Sequence, residues 1–326
     1  MRKLVPRIVL GAAILLCSVP LFGSAFRVEQ FTRILIYVIL AASLDLMVGY
    51  TGMVNLGHAA FFSLAAYTGA LLADKAGISN ALIALPAGLL AAAAASLIAG
   101  ALTVRLRGIY FIMATLAFTQ IVYFLLNDST WAGGSDGILV SVNMKAEIGG
   151  VTLLNLSNSS ERFYATLTAA TLVLLGLSRL VNSPFGRVLQ GIRENDQRMR
   201  ALGYPVERFK LACFVIGGTL SGLAGYLYFT LTSFTDPTLS YWLHSAQILV
   251  MAVLGGTGTL LGPAIGVAFV TLFIDRASEL TEHWKLYLGL VVVAATLFAP
   301  GGFWGALERL TRVGLKAGGR KERSDA

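Results

Sequence analysis

The chain has 326 residues, of which 56% are hydrophobic and only 13% are charged, and its formal charge is +8. Soluble domains carry about 25% charged residues. The low charge and a mean hydropathy of +0.74 therefore indicate a membrane protein and exclude a soluble enzyme with a single anchor.

Apolar runs recur along the chain, many of about 20 residues, the length needed to cross about 30 Å of hydrocarbon. They predict an all-α polytopic integral membrane protein with about ten transmembrane helices. The fourth run is overlong, and the eighth and ninth are short enough for one of them to be a re-entrant hairpin. The predicted spans are 7–25, 30–50, 55–73, 79–103, 108–127, 163–181, 209–231, 242–257, 260–274 and 285–300.

The first apolar run, which follows MRKLVPR, is similar to a secretory signal peptide. It is longer than the usual core of about 7–15 residues, so we expect it to remain as the first span. Cys17 and Cys213 each fall inside an apolar run. We expect both to be reduced packing residues rather than a disulfide pair.

The basic residues predict the orientation, because cytoplasmic loops collect Lys and Arg. With both termini in the cytoplasm, most of the 25 basic residues lie on that side. Segment 128–161 carries four acidic residues against Lys145 alone, so we expect it in the periplasm. The positive charge is thereby explained by topology, and no nucleic acid is expected as a partner. The residues assigned to the cytoplasm are Arg2, Lys3, Arg7, Arg105, Arg107, Arg179, Arg187, Arg193, Arg198, Arg200, Arg208, Lys210, Arg309, Arg312, Lys316, Arg320, Lys321 and Arg323.

Segment 183–210, SPFGRVLQGIRENDQRMRALGYPVERFK, carries nine charged residues between long apolar runs. Its apolar residues lie close to one helical face and predict one short amphipathic helix. Ser183 and Pro184 open the segment, Gly203 is a ready C-terminal cap, and Pro205 opposes continuation. The apolar positions are Val188, Ile192, Met199 and Leu202.

The charges within this segment leave two interpretations. Glu194 with Arg198, and Asp196 with Arg200, have the i,i+4 spacing of ion pairs that support a helix. One interpretation is a helix lying among the lipid headgroups. Interfacial helices usually have a mainly basic polar face. The mixture of both signs therefore favours the second interpretation, a surface that binds another protein.

Segment 49–58, GYTGMVNLGH, places Gly52, Asn55 and His58 between two apolar runs. Irregular backbone at membrane depth persists only where protein buries it or where it lines a wet cavity. The segment predicts either a helix break beside a transport path or a tight cytoplasmic turn. Asp45, four residues earlier, is either a functional intramembrane acid or a hydrated structural cap.

Other motifs point away from enzymatic chemistry. LGGTGTLLGP, residues 254–263, is rich in glycine but lacks the Lys-Ser/Thr of a phosphate loop. His58, His244 and His283 are scattered without metal-binding spacing, so no metal site is expected. WAGGSDGI, residues 131–138, is a turn-rich stretch in the outer loop, a position that often serves recognition.

Five stretches in this order resemble the LivM-type permease subunits of branched-chain amino acid ABC importers, between about Ile34 and Gly302. They are GYTGMVNLGHAAFFSLAAYTGALL, IYFIMATLAFTQIVYFLLN followed by GGSDG, GIRENDQRMRALGYPVERFKLACFVIGGTLSGLAG, VLGGTGTLLGPAIG, and TEHWKLYLGL with APGG. The resemblance implies a transmembrane permease domain at 1–302 and a basic cytoplasmic tail at 303–326.

The resemblance also implies a role for the charged segment. In such importers a cytoplasmic loop, here 182–208, carries a short coupling helix that docks in a cleft of the ATPase. Glu194, Ala201 and Gly203 match the importer pattern of an acid followed by small residues and a glycine. Arg198 and Met199 depart from it, since many relatives have alanines there. The implied coupling residues are Arg193, Glu194, Asn195, Arg198, Arg200, Ala201, Leu202 and Gly203.

The implied partners are a second homologous permease, two ATP-binding subunits, a periplasmic substrate-binding protein and membrane lipid. The partner ATPases would use ATP and magnesium, and this chain is not expected to be an enzyme or to hold a cofactor. The implied path residues are Asp45, Gly52, Asn55, His58 and Gln120. The loop implied to face the binding protein contains Gly133, Gly134, Ser135, Asp136 and Gly137.

The leading hypothesis is therefore an ATP-driven importer of leucine, isoleucine or valine in the bacterial inner membrane. A same-family importer of urea, short amides or another small organic acid is the first alternative, because the permease sequence hardly separates these substrates. A secondary transporter or channel is an alternative from another class. It predicts a coupling-ion site and inverted halves, and neither is evident in the sequence.

Overall fold

A computed structural model describes residues 5–141, 144–148, 151–298 and 301–305. Over these ranges the chain is mostly helical. The helices are α1 Val5–Leu16, α2 Val19–Phe22, α3 Ala25–Thr51, α4 His58–Asp74, α5 Ala81–Thr103, α6 Ile109–Asn127, α7 Ser159–Asn182, α8 Pro184–Glu194, α9 Asp196–Ala201, α10 Val206–Thr232, α11 Trp242–Gly255, α12 Gly262–Leu280 and α13 Trp284–Phe298.

Five helices in the described ranges are long and apolar enough to cross a membrane: α3, α5, α6, α7 and α10. At 1.5 Å per residue, the 27 residues of α3 extend about 40 Å and the 19 residues of α6 about 28 Å. Lengths of this order match the hydrocarbon thickness. Five of the ten predicted spans thus correspond to helices that are long and apolar enough to cross a membrane.

Helices α3 and α10 form the centre of the bundle. Helix α10 packs against α3, α4 and α5. Its approach to α4 is close, since a Cβ atom on Gly225 would lie 1.9 Å from the carbonyl oxygen of Phe62. A Cβ on Gly218 would similarly lie 2.4 Å from the Cβ of Ser96 on α5. Small residues let these helix backbones meet without intervening side chains.

Two non-helical regions mark opposite ends of the bundle. Helix α7 has 24 residues, about 36 Å, and separates segment 128–158 at its start from the α8–α9 pair at its end. We call these the loop end and the pair end. Helix α10 returns from the pair end to the loop end.

The loop end contains short strands, which the all-α prediction did not include. The strands are β1 Ile138–Leu139, β2 Lys145–Ile148, β3 Val151–Asn155 and β4 Phe234–Thr235. Strand β1 pairs antiparallel with β4, which follows α10, and β2 pairs antiparallel with β3. Pairing of short extended segments satisfies their backbone polar groups at this end.

The predicted first span, 7–25, is wrong as one continuous helix. Helix α1 ends at Leu16 and α2 begins at Val19. Pro20 lies in the first turn of α2, and because proline lacks an N–H group, it cannot donate to the carbonyl oxygen of Leu16. The basic part of the predicted tail, 306–326, lies outside the described residues.

Candidate functional site

The charged segment forms two helices, so the prediction of one helix across it is wrong. Asn195 is extended, with φ −159° and ψ 99°, and its side-chain oxygen accepts a hydrogen bond from the Arg198 N–H at 2.8 Å. Asn195 thereby ends α8 and caps α9. The predicted apolar face is divided as well, because Ile192 is buried while Leu202 is 66% exposed.

The predicted boundaries of the pair are confirmed. The Ser183 side chain accepts a hydrogen bond from the Gly186 N–H at 3.4 Å, and Pro184 lies in the first turn of α8. Gly203 has φ +85°, a conformation that favours glycine, and follows the end of α9. The Tyr204 N–H donates to the Met199 carbonyl at 3.2 Å and closes this turn.

Helix α8 is anchored in the bundle through its apolar side. It packs against α3, α7 and α10, and Leu189 and Ile192 are buried there. The residues predicted to contact an ATPase lie mostly on the other side. Glu194, Asn195, Arg198, Ala201, Leu202 and Gly203 are exposed, and Arg200 is half-buried.

Arg193 connects α8 to the end of α3 and to the glycine-rich loop 256–261. Its guanidinium donates a hydrogen bond to the Gly49 carbonyl oxygen. A Cβ on Gly258 would lie 3.0 Å from the same guanidinium and 3.1 Å from the Gly49 oxygen, and Gly258 has φ +78°. The Gly258 N–H donates in turn to the buried Asp45 carboxylate at 2.8 Å. We call Asp45, Gly49, Arg193 and Gly258 the junction.

Asp196 connects α9 to two other parts of the bundle. Its carboxylate lies 3.2 Å from Arg107 in the α5–α6 connection, 3.4 Å from Arg200 and 3.6 Å from Lys210 on α10. Arg200 also donates to Glu207, and this hydrogen bond raises the pKa of the guanidinium. The predicted Asp196–Arg200 pair is therefore present. Within the described ranges, Glu194 and Arg198 form no such pair.

The predicted path residues do not form one cluster. Asp45 belongs to the junction, and Gly52 lies directly against Arg193, since a Cβ there would be 3.3 Å from the Arg193 Cγ. Asn55 is buried in the non-helical connection 52–57, where its side-chain oxygen accepts from the Gly57 N–H at 2.7 Å. This connection joins α3 to α4 and is also buried against α6, because the Leu56 N–H donates to Thr115 at 3.2 Å.

His58 begins α4 in the bundle interior. Its Nε2 lies 2.7 Å from the Ser43 hydroxyl, and its carbonyl oxygen accepts from Ser221 at 3.0 Å. Gln120 is separate from these residues and lines a shallow groove on α6 that continues toward Asp128. Among the described residues, no group of three His, Cys, Asp or Glu side chains is arranged to hold a metal ion.

The glycine-rich outer loop has a defined shape at the loop end. Gly133, Gly134 and Gly137 all have positive φ. A Cβ on Gly137 would lie 2.2 Å from the Thr235 carbonyl oxygen, so this glycine allows the loop to rest on β4. Ser135 and Asp136 remain exposed between them. The loop therefore presents a small polar surface on a fixed base.

Comparison with known proteins identifies the family. Residues 27–299 match the family model described as the permease component of branched-chain amino acid transport systems. The permease protein LivM of the high-affinity branched-chain amino acid transport system of Escherichia coli K12 is 32% identical over 91% of this chain and 73% of its own length. The chain belongs to this permease family. It is accordingly a multi-pass membrane permease, and its family is one of transport proteins.

Two further relatives of this permease cover nearly the whole chain. LivM of Salmonella typhimurium LT2 is 31% identical over 91% of this chain and 73% of its own length. The L-arabinose ABC transporter permease AraH of Azospirillum brasilense is 26% identical over 90% of this chain and 80% of its own. No solved structure matches the chain.

Sequence reasoning missed several residues of this permease that hold the α8–α9 pair. Arg107 and Lys210 were assigned only a general cytoplasmic position, and Gly258 was noted only within a glycine-rich stretch that lacks the residues of a phosphate loop. The signal for Gly258 was its glycine-rich turn, which predicts positive φ without revealing the contact. The ion pairs of Arg33 with Asp275 at 2.8 Å and of Arg162 with Glu29 at 3.3 Å were also not predicted.

Proposed function

We propose that the chain is the membrane-spanning subunit of an ATP-driven importer that carries leucine, isoleucine and valine across the bacterial inner membrane. A periplasmic binding protein would deliver the substrate. The observation that carries this proposal is the 32% identity to a branched-chain amino acid permease over 91% of the chain. The matched region contains the junction, the α8–α9 pair and the outer-loop residues 133–137.

The α8–α9 pair is the proposed coupling element. Its outer side, with Glu194, Arg198, Ala201 and Leu202, is exposed and carries charges of both signs next to an apolar side chain. An exposed apolar residue among charged neighbours suits a protein partner. Two ATP-binding subunits, which would hold ATP and magnesium, are the partners that this function requires, together with a second homologous permease.

The anchored side of the pair supports transmission of movement into the bundle. Arg193 is hydrogen-bonded to the end of α3, and Asp196 is paired with Lys210 on α10. Helices α3 and α10 form the bundle centre, so a displacement of α8–α9 acts on both. Asn55 and His58 lie next to the pair-end terminus of α3 and are the proposed path residues, with Gln120 as a further candidate on α6.

The same function sets the topology. The chain would have ten spans, both termini in the cytoplasm and segment 128–161 in the periplasm. In that topology the α8–α9 pair lies beside the ATPases, and residues 133–137 lie beside the binding protein. Residues 1–302 are then the permease domain and 303–326 a basic cytoplasmic tail. The acidic composition of 128–161 and the basic composition of 183–210 support this orientation.

One observation favours a substrate other than a branched-chain amino acid. The AraH relative, which covers 90% of this chain, is named as an L-arabinose permease. Relatives of this chain are therefore named for more than one kind of small polar substrate. Urea, short amides and small organic acids remain the competing substrates to be tested beside leucine.

The test measures uptake of radiolabelled leucine into membrane vesicles that contain this permease and its partner subunits. The vesicles are prepared with ATP in the lumen or without it. We expect ATP-dependent leucine uptake that isoleucine and valine compete with more strongly than urea or acetamide. Replacement of Glu194 by Lys should reduce uptake at least tenfold while leaving the membrane amount of permease unchanged. Glu279→Lys adds the same charge at the loop end and serves as the control.

Uptake that persists without ATP or without the partner subunits would contradict an ATP-driven importer and favour a secondary transporter or channel. Normal uptake by the Glu194→Lys variant would instead remove only the coupling role of α8–α9. Competition by urea or acetamide without competition by isoleucine would reassign the substrate.

A further inference from the structure

A cavity of about 610 Å³ lies at the pair end, directly beside the junction. It is bounded by α1, the ends of α3 and α7, α8, the glycine-rich loop and Trp304. Small-molecule sites in proteins occupy about 300–1,000 Å³ and combine apolar walls with a few polar groups. The size of this cavity is within that range.

Two side chains of opposite charge line the cavity. Arg193 and Glu194 are consecutive residues, and both line it. Arg193 uses one N–H toward the Gly49 carbonyl, and a guanidinium has five N–H donors. Among the described residues, the Glu194 carboxylate has no ion-pair or hydrogen-bond partner. The cavity therefore offers donors for a carboxylate and an acceptor for an ammonium group within a short distance along the chain.

The remaining walls are largely apolar. Val5 and Ile8 come from α1, Leu260 and Leu261 from the glycine-rich loop, and Trp304 closes the cavity from the last described turn. An aliphatic side chain placed against these residues would be removed from water, which is favourable by about 25 cal/mol per Å² of apolar area. The charges of Arg193 and Glu194 and the apolar walls together match a molecule that has two opposite charges and a hydrocarbon group.

We propose that this cavity is a second binding site for a free apolar α-amino acid, entered from the pair end and distinct from the translocation path. Arg193 binds the carboxylate, Glu194 binds the ammonium group, and the side chain lies against Ile8, Leu260 and Trp304. In identifying the ligand as the imported substrate class, this inference rests on the proposed function.

A ligand in this cavity would act on the coupling element. It would lie between α8 and the glycine-rich loop, and its carboxylate would bind the same guanidinium that contacts Gly49. Bound ligand would therefore hold the junction in one arrangement. A ligand that favours one state shifts the equilibrium by its differential affinity. Accumulated amino acid on the cytoplasmic side should thereby slow further import.

The first experiment measures binding of radiolabelled leucine to the assembled importer in lipid nanodiscs without binding protein or ATP. We expect saturable binding that 4-methylpentanoate, which lacks the ammonium group, and leucinamide, which lacks the carboxylate, displace at least tenfold less well. Trp304→Ala and, on a separate wall, Ile8→Asn should each weaken leucine binding at least fivefold. Trp131→Ala at the loop end is the matched control and should bind leucine like the unchanged protein.

A ligand–variant cycle identifies the charged contact. Glu194→Gln should weaken leucine binding but leave 4-methylpentanoate binding unchanged, because the acid has no ammonium group to lose. If Glu194 contacts the ammonium group, removing both the carboxylate and the ammonium group costs less than the sum of the two separate losses. If they do not interact, the two losses add. Equal weakening of both ligands by Glu194→Gln would overturn the assignment. Binding that is unaffected by Trp304→Ala and Ile8→Asn, or removed by Asn55→Ala alone, would place the ligand in the path instead.

The second experiment tests the consequence in vesicles that contain ATP and either no leucine or excess luminal leucine. We expect luminal leucine to reduce the initial uptake rate at least threefold, and Trp304→Ala or Ile8→Asn to reduce this inhibition. ATP-driven uptake that luminal leucine does not slow would overturn the inference alone. Absence of ATP-driven leucine uptake, with leucine binding that depends on Trp304 and Ile8 still present, would refute the proposed function while leaving the site.

Discussion

Replacing Asp196 by Asn is the most informative test of how α9 is held. The carboxylate has three cationic neighbours, Arg107 at 3.2 Å, Arg200 at 3.4 Å and Lys210 at 3.6 Å. Asparagine keeps the size and one acceptor oxygen but removes the charge. Lys210 and Arg107 would then lose the one carboxylate with which they pair among the described residues.

The two pairs that connect α9 to other parts of the bundle, those with Arg107 and Lys210, differ in value because they differ in exposure. Arg107 is 54% exposed, so its pair is worth at most about 1 kcal/mol. Lys210 is only 10% exposed and Asp196 only 19%, and removing one partner of a buried pair costs about 3–5 kcal/mol. The amide oxygen offsets part of this loss. We therefore expect the closed position of the Lys210 end of α10 to be destabilised by about 3 kcal/mol.

Cys213 provides the assay. It is fully buried on α10, three residues after Lys210, and its sulfur lies 3.2 Å from the Thr51 hydroxyl. In a Cys17→Ser background, a thiol reagent reports how often α10 opens from α3. Where opening and closing are faster than labelling, the labelling rate follows the open population. A change of about 3 kcal/mol should raise that rate on the order of 100-fold.

The control is Glu279→Gln, which removes the charge of an exposed pair with Arg276 at 3.8 Å and should change the labelling rate less than threefold. A rate for Asp196→Asn equal to that of the control would refute the reasoning. It would mean that packing around Val206 and Cys213, not the carboxylate, holds this end of α10.

Three further predictions concern the junction, the end of α9 and the ion pair between α3 and α12. Gly49→Ala should reduce ATP-dependent uptake at least tenfold, because its Cβ would lie 2.2 Å from the Asp45 carboxylate and 2.3 Å from the Gly258 nitrogen. Gly203→Val should weaken co-purification of the ATPases, because a β-branched residue at φ +85° costs about 1–2 kcal/mol. Asp275→Asn should lower the amount of folded permease, because Arg33 bonds both Asp275 oxygens, at 2.8 and 2.9 Å, and a partly exposed pair of this kind is worth about 1 kcal/mol.

Each of these predictions has its own control. Gly176→Ala, where no atom lies within 4 Å of the new Cβ, should leave uptake unchanged. Gly203→Asn should retain ATPase binding, since asparagine tolerates positive φ and the space around Gly203 is open. The double variant with Arg33→Gln should recover folded protein relative to Asp275→Asn. Equal losses from Gly203→Asn and Gly203→Val, or no recovery in the double variant, would contradict the corresponding explanation.

The elements that the sequence predicted well are those that depend on local properties. Long apolar runs predicted α3, α5, α6, α7 and α10, because spanning the bilayer requires about 20 apolar residues whatever surrounds them. The start and end of the charged segment followed from Ser183 and Gly203, since caps and positive φ are decided by neighbouring residues.

The missed features depend on contacts between distant parts of the chain, or on competition between a capping side chain and continuation of a helix. Arg107 and Asp196 are separated by two apolar spans and meet only through the packing of α5, α6 and α10. The break at Asn195 is a local effect, but the apolar spacing of Ile192 and Leu202 suggested continuity. The side chain of Asn195 nevertheless caps α9 with a hydrogen bond, and the helix is interrupted there in spite of that spacing.

One end of helix α10 contacts the α8–α9 pair, and the other end leads into β4 beside the outer-loop residues 133–137. At the pair end Lys210 meets Asp196, and at the loop end β4 follows the helix and pairs with β1 beside Gly137. A single continuous helix of about 40 Å thus joins the two faces. If an ATPase docks at one face and a binding protein at the other, as proposed, any coupling of their binding free energies through α10 must be reciprocal. In such a complex, the factor by which ATP changes the affinity for the binding protein would equal the factor by which the binding protein changes the affinity for ATP.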